Sequence, residues 1–257
     1  MRLEGWRIAL TGAAGRDEEI ASAIEEAGGR ALRFPLIAFE PAGIDGALGS
    51  ALAQLESHDW IVLTSATAAT LLGAILGSRR AGVPPIAVVG PATARAAAAH
   101  LAAPAFVASR HTARDLAAEL ITAGVTGRVL IPAADIAGPE LADALRRSGV
   151  QVQQVVAYRT LSGPGGPALA EAVMQGSVDV VLLASPSAVR SLVAARQAPG
   201  AASSVPVVCI GPSTAAAARS AGLDVVAIAV AHDRRGLLAA LSEWARLHPE
   251  GRHESIR

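Results

Sequence analysis

Short apolar runs alternate with longer alanine-rich amphipathic stretches along almost the whole chain of 257 residues. Apolar runs of four to eight residues between turn residues are typical of buried strands, and longer stretches with helical spacing are typical of helices. Regular alternation of the two predicts an α/β fold built on parallel sheets. The ten predicted strands lie near residues 6–11, 30–34, 59–64, 86–89, 105–108, 128–132, 151–157, 178–184, 206–210 and 224–229.

The second half of this pattern repeats the first at an offset of about 120 residues. DWIVLTSAT at 59–67 matches DVVLLASPS at 179–187, and VVGPATARAAAAH at 88–100 matches CIGPSTAAAARSA at 209–221. The same offset joins four pairs of single residues: His111 with His232, Leu116 with Leu237, Arg7 with Arg128, and Gly28 with Gly149. The sequence therefore predicts an internal duplication that builds two similar lobes of five parallel strands each.

Breaks rich in proline and glycine fall inside each repeat, at FPLIAFEPAG (34–43) and YRTLSGPGGP (158–167). The junction of the repeats near residue 121 has the length of an ordinary turn between a helix and a strand. Two breaks imply two crossings between lobes. We therefore predict a discontinuous first lobe and a continuous second lobe, with these bounds: 1–36 and 162–257 for the first, 42–157 for the second, and 37–41 and 158–161 for the linkers. The polar tail HPEGRHESIR is expected to fray.

The opening stretch IALTGAAGR has the strand and glycine turn of a dinucleotide-binding unit, but it lacks the full G-x-G-x-x-G pattern. The chain also contains no lysine, so all 22 of its basic residues are arginine. P-loop enzymes, pyridoxal enzymes and short-chain dehydrogenases of the usual kind each need a lysine. The sequence therefore predicts no nucleotide site in this turn.

Acidic and basic residues balance at 22 each, so no net field favours nucleic acid or a membrane as partner. A signal-peptide pattern and an apolar run of bilayer length are both missing from the sequence, which predicts a cytoplasmic protein. Cys209 lies in the strand-like run VPVVCIG and is expected to be a buried structural thiol.

The six histidines do not show metal-ligand spacing, and we expect neither a metal nor a cofactor. His111 and His232 precede predicted helices, which favours a capping or solvent-exposed role. Asp17, Glu18 and Glu19 are expected on a solvated face, where they complement the dipole of the first helix.

Small polar residues follow several predicted strands at the point where a helix begins. Parallel sheets bind ligands at the carboxyl ends of their strands, where helix N-termini offer free N–H groups. Plain helix capping is the alternative interpretation of each turn, but the Gly-Pro-x-Thr and Ser/Thr turns both occur twice, which favours a large polyanion as ligand. The predicted binding residues are Thr64, Ser65, Thr67, Gly90, Thr93, Ser185, Ser187, Gly211 and Thr214.

Tyr158 is the sole tyrosine and lies at the second crossing between lobes. A phenol keeps its proton at neutral pH and can act as a general acid, although a hinge residue packing its ring is the alternative interpretation. Five arginines near strand ends or crossings are further candidates for an acidic ligand, ranked below the backbone turns: Arg16, Arg110, Arg114, Arg159 and Arg190.

With these features in place, the sequence resembles the uroporphyrinogen-III synthase family over nearly its full length. The matching segments, in the family's order, are DWIVLTSATA, IAVVGPATA, VQVQQVVAYRT, VDVVLLASPSAVRSL and VPVVCIGPSTAAAARSAGL. The chain departs from the family pattern at Gly12-Ala13, where Thr-Arg-Pro is frequent, and in IPAADIAGPEL, where arginines are frequent.

The resemblance implies two flavodoxin-like α/β lobes joined by a two-stranded linker, with the active site in the cleft and no cofactor. It implies that hydroxymethylbilane, a linear tetrapyrrole with eight carboxylates, loses water and closes with its last ring inverted. Tyr158 would be the proton donor, and the turns around Ser65, Thr93, Ser187 and Thr214 would hold carboxylates through backbone N–H groups. Hydroxymethylbilane synthase would be the enzyme that hands over the substrate.

Two other classes of function stay open at this stage. The first is a ligand-sensing homologue that kept the two-lobed fold without turnover, which the missing family arginines would allow. The second is a nucleotide-dependent oxidoreductase, which the absence of lysine disfavours.

Overall fold

The computed structural model describes residues 2–78, 82–195 and 205–249 of the chain. Its contacts divide the protein into two compact units, Met1–Phe39 with Leu161–Arg257 as unit 1 and Glu40–Thr160 as unit 2. The polar tail for which fraying was predicted lies mostly outside the described residues. Within the described ranges, none of the helices has the length and apolar character needed to cross a membrane.

Strands and helices alternate along the chain as the hydrophobic pattern predicts. The strands are β1 (Arg7–Leu10), β2 (Arg30–Arg33), β3 (Ile37–Pro41), β4 (Trp60–Leu63), β5 (Ile86–Val88), β6 (Phe106–Val107), β7 (Arg128–Ala134), β8 (Gln151–Ser162), β9 (Val180–Leu183), β10 (Val207–Cys209) and β11 (Val225–Ile228). The helices are α1 (Glu18–Glu26), α2 (Ala47–Ala53), α3 (Ala66–Leu76), α4 (Pro91–His100), α5 (Ala113–Thr122), α6 (Glu140–Arg147), α7 (Gly166–Met174), α8 (Pro186–Ala195), α9 (Pro212–Ser220) and α10 (Arg234–Leu247). A short 3₁₀ turn occupies Leu55–Ser57. All ten predicted strands are present.

Unit 1 contains a sheet of five parallel strands in the order β11-β10-β9-β1-β2. The central strand β9 is buried on both faces, with Val181 and Leu183 in one apolar cluster and Val180 and Leu182 in the other. Helices must therefore cover both faces of this sheet, which explains why its strands read as continuous apolar runs instead of alternating ones. Cys209 is buried and unpaired in this core, and burial raises the pKa of its thiol to about 11. The prediction of a structural thiol is confirmed.

Unit 2 contains the sheet β3-β8-β7-β4-β5-β6, and its last five strands are parallel. The two sheets have the same arrangement of strands. Read from the matching edge, the order is β2-β1-β9-β10-β11 in unit 1 and β8-β7-β4-β5-β6 in unit 2. Each sheet therefore takes two strands from one half of the duplicated sequence and three from the other half. This exchange places the proline- and glycine-rich breaks inside the repeats instead of between them.

The six-stranded sheet includes a strand, β3, that the hydrophobic pattern did not predict, although the resemblance implied a pair of strands in the linker segments. Ile37–Phe39 of this strand belong to unit 1, and Glu40 and Pro41 belong to unit 2. Strand β3, treated as linker in the sequence, pairs with β8 at the edge of this sheet. The Ala42 N–H bonds to the Ala157 carbonyl at 2.9 Å and the Gly163 N–H bonds to the Leu36 carbonyl at 2.8 Å, which makes the pair antiparallel. A Cβ at Gly163 would collide with the Pro35 carbonyl, so this close approach requires glycine.

A repeated contact between an aspartate and a neighbouring strand supports each sheet. Asp179 accepts the Arg7 backbone N–H at 2.6 Å and pairs with the Arg7 guanidinium at 2.7 Å, with its side chain 7% exposed. Asp59, its counterpart at the repeat offset, accepts the Arg128 backbone N–H at 2.7 Å, but the Arg128 guanidinium bonds to Ser57. The two carboxylates therefore differ mainly in burial and in the ion pair.

Replacing Asp179 by alanine should lower the free energy of unfolding of unit 1 by about 3 kcal/mol, because the partly buried Arg7 guanidinium loses its carboxylate and the Arg7 backbone N–H loses its acceptor. Urea unfolding followed by the fluorescence of Trp6 and Trp244, in a Trp60→Phe background, reports on this unit. Asp59→Ala is the matched control in unit 2 and should cost about 1 kcal/mol, since it loses only hydrogen bonds. Its unfolding is followed by Trp60, in a background in which Trp6 and Trp244 are replaced by phenylalanine. Equal losses for the two variants would contradict the ion-pair explanation.

Candidate active site

The first turn that the sequence marks as a binding site follows β4 in unit 2. Ser65 has extended backbone and is the N-cap of α3, and its Oγ accepts the Ala68 N–H at 3.0 Å. A serine at this position satisfies one of the free N–H groups of the first helical turn. Thr64 precedes it and is half-buried. Helix capping is therefore part of what this turn does, as the alternative interpretation of the sequence had it.

The corresponding turn of unit 1 follows β9 and is built in the same way. The Ser185 Oγ accepts the Ala188 N–H at 3.1 Å at the start of α8. Ser187, in the first turn of that helix, accepts a hydrogen bond from the Arg190 guanidinium at 2.7 Å. Two residues predicted as ligand contacts, Ser187 and Arg190, thus lie together at one helix start.

The two Gly-Pro-x-Thr turns are N-caps without a side chain. Gly90 begins α4 and Gly211 begins α9, and each is followed by proline at the first helical position. Neither turn has a side-chain capping bond from its N-cap residue, and N–H groups of a first helical turn are where an anion is stabilised. Both helices are long enough, at 10 and 9 residues, to carry an N-terminal partial charge.

Each glycine N-cap lies against a histidine. A Cβ on Gly90 would lie 3.0 Å from His111, and a Cβ on Gly211 would lie 3.2 Å from His232. Of the two alternatives that the sequence left for these histidines, the structure bears out solvent exposure and not helix capping. Thr112 caps α5 and Asp233 caps α10, each one residue after the histidine. The same repeat offset relates the two glycines to each other and the two histidines to each other. This shared spacing was the sequence signal that could have linked each histidine to its glycine.

Three of the predicted contact threonines are buried. Thr67, Thr93 and Thr214 are 7%, 4% and 1% exposed, respectively. A ligand at these turns would therefore meet backbone N–H groups and the half-buried Ser65, Ser185 and Ser187 before it met these threonine hydroxyls.

Tyr158 is directed to the first of these turns by an irregularity in its strand. The β7·β8 ladder pairs Ala133 with Val156 and then Ala134 with Tyr158, so one extra residue, Ala157, is inserted in β8. Side chains alternate faces along a regular strand, and a bulge of this kind reverses which face the following residues use. Ala157 and Tyr158 are accordingly both buried, which breaks the alternation.

The tyrosine hydroxyl donates to the Ser65 Oγ at 2.9 Å, and Tyr158 as a whole is 5% exposed. The structure therefore joins two residues that the sequence singled out separately, 93 positions apart. Asp135 fixes the strand next to this pair, because its N–H bonds to the Tyr158 carbonyl and its carboxylate accepts the Thr160 N–H. Neither contact was predictable from spacing.

The candidate arginines differ from one another in exposure and in the groups that they contact. Arg16 lies over the Phe39 ring at 5.6 Å, within cation–π range. Arg110 is 80% exposed and lies 3.9 Å from Asp115, and Arg159 is 67% exposed and lies 3.9 Å from Glu40. Such exposed pairs are weak and leave the guanidinium available to another anion. Arg114 is exposed.

Asp17 departs from the solvated position expected of it. Its carboxylate is half-buried, accepts the Gly12 N–H at 2.7 Å and makes no capping bond to α1. Loss of hydration on burial raises the pKa of this carboxyl, an effect that the Gly12 bond and Arg234 only partly offset. A half-buried carboxylate thus occupies the turn after β1.

Replacing Asp17 by asparagine should raise stability at neutral pH, because the amide oxygen can keep the Gly12 bond without the desolvated charge. The raised pKa means that Asp17 itself supports the native state below the unfolded value near 3.8, and that this support is lost as pH rises through the folded pKa. Thermal unfolding at pH 7 and pH 4 checks this expectation. The advantage of the variant should be larger at pH 7, and an equal advantage at both values would contradict it.

The family model for uroporphyrinogen-III synthase HemD matches residues 18–239. The chain is 31% identical to the chloroplastic uroporphyrinogen-III synthase of Oryza sativa, over 95% of this chain and 82% of the relative. It is 28% identical to the uroporphyrinogen-III synthase of Synechococcus elongatus, over 95% and 97% of the two chains.

Solved structures show the same fold. A mutant uroporphyrinogen III synthase from Thermus thermophilus superposes with a TM-score of 0.63 at 23% identity, over 94% of this chain and 99% of that one. The synthase from Helicobacter pylori superposes with a TM-score of 0.60 at 16% identity, over 95% and 100%. The two-lobed α/β fold predicted from the sequence is confirmed by these similarities.

Proposed function

The chain belongs to the uroporphyrinogen-III synthase family, whose function lies in tetrapyrrole biosynthesis, and on that premise we propose that it cyclises hydroxymethylbilane with inversion of the last ring. The class of enzyme proposed is a lyase, because the reaction breaks a carbon–oxygen bond and releases water. The substrate is the product of hydroxymethylbilane synthase, which would hand it over. A cytoplasmic location stays a prediction, since the rice relative is named chloroplastic.

The proposed cyclisation needs little acid–base catalysis from the protein. Protonation of the terminal hydroxyl lets the C–O bond break, water leaves, and the pyrrole nitrogen lone pair stabilises the resulting azafulvene cation. The substituted carbon of the last ring then attacks through a spiro intermediate. A proton is lost when the macrocycle forms, so the proton supplied at the start is returned at the end. Holding the linear chain in the geometry for this attack is the larger part of the work.

The observation that carries the proposal is the hydrogen bond from Tyr158 to Ser65. It places the sole phenol of the chain at the carboxyl edge of the sheet in unit 2, beside the N-terminus of α3. A phenol that is protonated at neutral pH and lies at a binding edge can supply the proton that the departing hydroxyl needs.

Substrate anchoring is proposed at the helix starts already described. The four turns lie at the carboxyl ends of parallel strands, and each presents first-turn N–H groups to which carboxylates bind. Thr64, Ser65, Thr67, Gly90 and Thr93 form the proposed set in unit 2, and Ser185, Ser187, Gly211 and Thr214 form the proposed set in unit 1. A ligand with eight carboxylates has enough anions to occupy the turns of either set.

A turnover experiment separates this enzyme from a homologue that only senses the ligand. Protein at about one hundredth of the concentration of freshly generated hydroxymethylbilane should consume all of it within a time in which the spontaneous reaction is small. A binding-only homologue would protect one equivalent of substrate and leave the rest to cyclise at the spontaneous rate. That outcome would overturn the proposal.

A further inference from the structure

Tyr158 and Ser65 differ in exposure. Tyr158 is 5% exposed, and its hydroxyl donates to the Ser65 Oγ, which belongs to a half-buried residue at the helix start. Of the two hydroxyls, that of Ser65 is therefore the one better placed to meet a ligand. The buried phenol and the more accessible serine are separated by a single hydrogen bond of 2.9 Å.

The hydrogen-bonding capacity of Ser65 fixes where its own proton can go. A serine hydroxyl has two acceptor lone pairs and one donor hydrogen. One lone pair accepts the Ala68 N–H at 3.0 Å and the other accepts the Tyr158 hydroxyl at 2.9 Å. Both acceptor positions are thus occupied, so the remaining hydrogen of Ser65 points away from both partners and is the one that can be donated to a third group.

We propose that Ser65 is the catalytic residue that delivers the proton to the departing hydroxyl, and that Tyr158 is the proton source acting through it. The inference rests on the proposed function and assigns the step within it. Ser65 was predicted to contact substrate carboxylates, and Tyr158 was predicted to protonate the substrate itself. In the arrangement described here, the two side chains act as one unit.

The transfer balances in atoms and charge. The Ser65 hydroxyl proton moves to the substrate hydroxyl as the C–O bond breaks, and the bonding electron pair leaves with the oxygen as water. The Tyr158 proton moves to Ser65 Oγ, which leaves a phenolate and a restored serine. The proton released on ring closure returns to the phenolate. The Ala68 N–H and the N-terminus of α3 stabilise negative charge on the Ser65 oxygen during the transfer.

The duplicated chain supplies a matched control. Ser185 occupies the same place in unit 1, and its Oγ accepts the Ala188 N–H at 3.1 Å as Ser65 Oγ accepts the Ala68 N–H. Tyr158 is the only tyrosine in the sequence, so Ser185 has no phenol behind it. Substituting Ser185 by alanine removes a helix cap of the same kind and leaves the pair at Ser65 intact. Because Ser185 belongs to the proposed binding set, this variant is expected to raise KM, and it is a control only for the tyrosine signal and for the shape of the deuterium dependence.

Nuclear magnetic resonance tests the contact without activity. Tyrosine labelled with ¹³C at Cζ gives one signal, because the chain has a single tyrosine. Ser65→Ala should shift this signal, Ser65→Thr should largely restore it, and Ser185→Ala should leave it in place. If the chemical shift of the labelled tyrosine is the same in Ser65→Ala as in the wild type, the proposal is overturned, whatever the activity of the protein.

Kinetics in mixtures of H₂O and D₂O test the transfer itself. If two protons move in the rate-limiting step, kcat depends on the deuterium fraction along a curve. If one proton moves, the dependence is a straight line. The wild type and Ser185→Ala should give curves. Ser65→Ala should lower kcat by about 30-fold or more and give a straight line. Ser65→Thr should recover most of kcat. Combining Ser65→Ala with Tyr158→Phe should lower kcat little further than either change alone.

A straight line for the wild type, or losses that multiply in the double variant, would overturn the proposal while leaving the synthase activity in place. Failure of the proposed function is a separate result, since wild-type protein would then not accelerate formation of the inverted macrocycle at all. The labelled tyrosine would still show the contact in that case, and the catalytic assignment would fall.

Discussion

Replacing Tyr158 by phenylalanine is expected to lower kcat for formation of the type III macrocycle by about 100-fold. Phenylalanine keeps the ring that packs beside β7 and removes only the oxygen that donates to Ser65. The pair then loses its proton source, so Ser65 has no group from which to recover a donated proton. The lower end of the usual range for general acids is appropriate, because the electron-rich pyrrole expels the hydroxyl with little help.

The fold should survive this change, which makes the kinetic result interpretable. Ser65 keeps its bond to the Ala68 N–H and is accessible enough to bond to water, so the loss of stability should be about 1 kcal/mol. Thermal unfolding and the KM provide the controls, and both should change little. A kcat equal to that of the wild type would remove Tyr158 from the mechanism.

Replacing Gly211 by aspartate is expected to lower kcat/KM by about 30-fold, which corresponds to about 2 kcal/mol of repulsion between the new carboxylate and a substrate carboxylate. Aspartate is a favoured N-cap, so it should satisfy the first turn of α9 and leave the helix as stable as before. The backbone at Gly211 is extended, with φ −177°, which any residue adopts. The nearby His232 ring is exposed and can give way.

Gly211→Asn is the matched control because it has nearly the same shape and capping ability without the charge. It should lower kcat/KM much less than aspartate does, and the difference should fall as ionic strength rises. Equal values of kcat/KM for the two variants would show that no substrate carboxylate lies at this helix start. Gly90→Asp and Gly90→Asn repeat the comparison at α4.

The regular part of the fold was predictable because burial on both faces leaves continuous apolar runs. Val180–Leu183 is such a run, and the repeat offset then located its counterpart Trp60–Leu63. The hydrophobic pattern did not mark strand β3, because it lies at a sheet edge and carries Glu40 and Pro41, which are atypical of a strand. Only the resemblance implied a pair of strands in the linker segments. Its pairing with β8 depends on residues far along the chain, which local patterns do not encode.

The candidate site was predictable as a set of turns and not as a set of contacts. Strand ends and helix starts identified Ser65 and Tyr158 separately. Their contact depends on the extra residue Ala157, which reverses the face of Tyr158, and no local pattern in VVAYRT marks a bulge. Asp17 was misplaced for a similar reason. Helical spacing predicts a solvated face for it, but the glycine turn before α1 lets the Gly12 N–H capture its carboxylate.

The most direct test of the central claim is the isomer composition of the macrocycle that wild-type protein forms from fresh hydroxymethylbilane, resolved after oxidation of the product. A helix-lined site that supplies one proton and holds the last ring for inversion predicts the type III isomer as the dominant product, formed well above the spontaneous rate. The type I isomer alone, formed at the spontaneous rate, would contradict it.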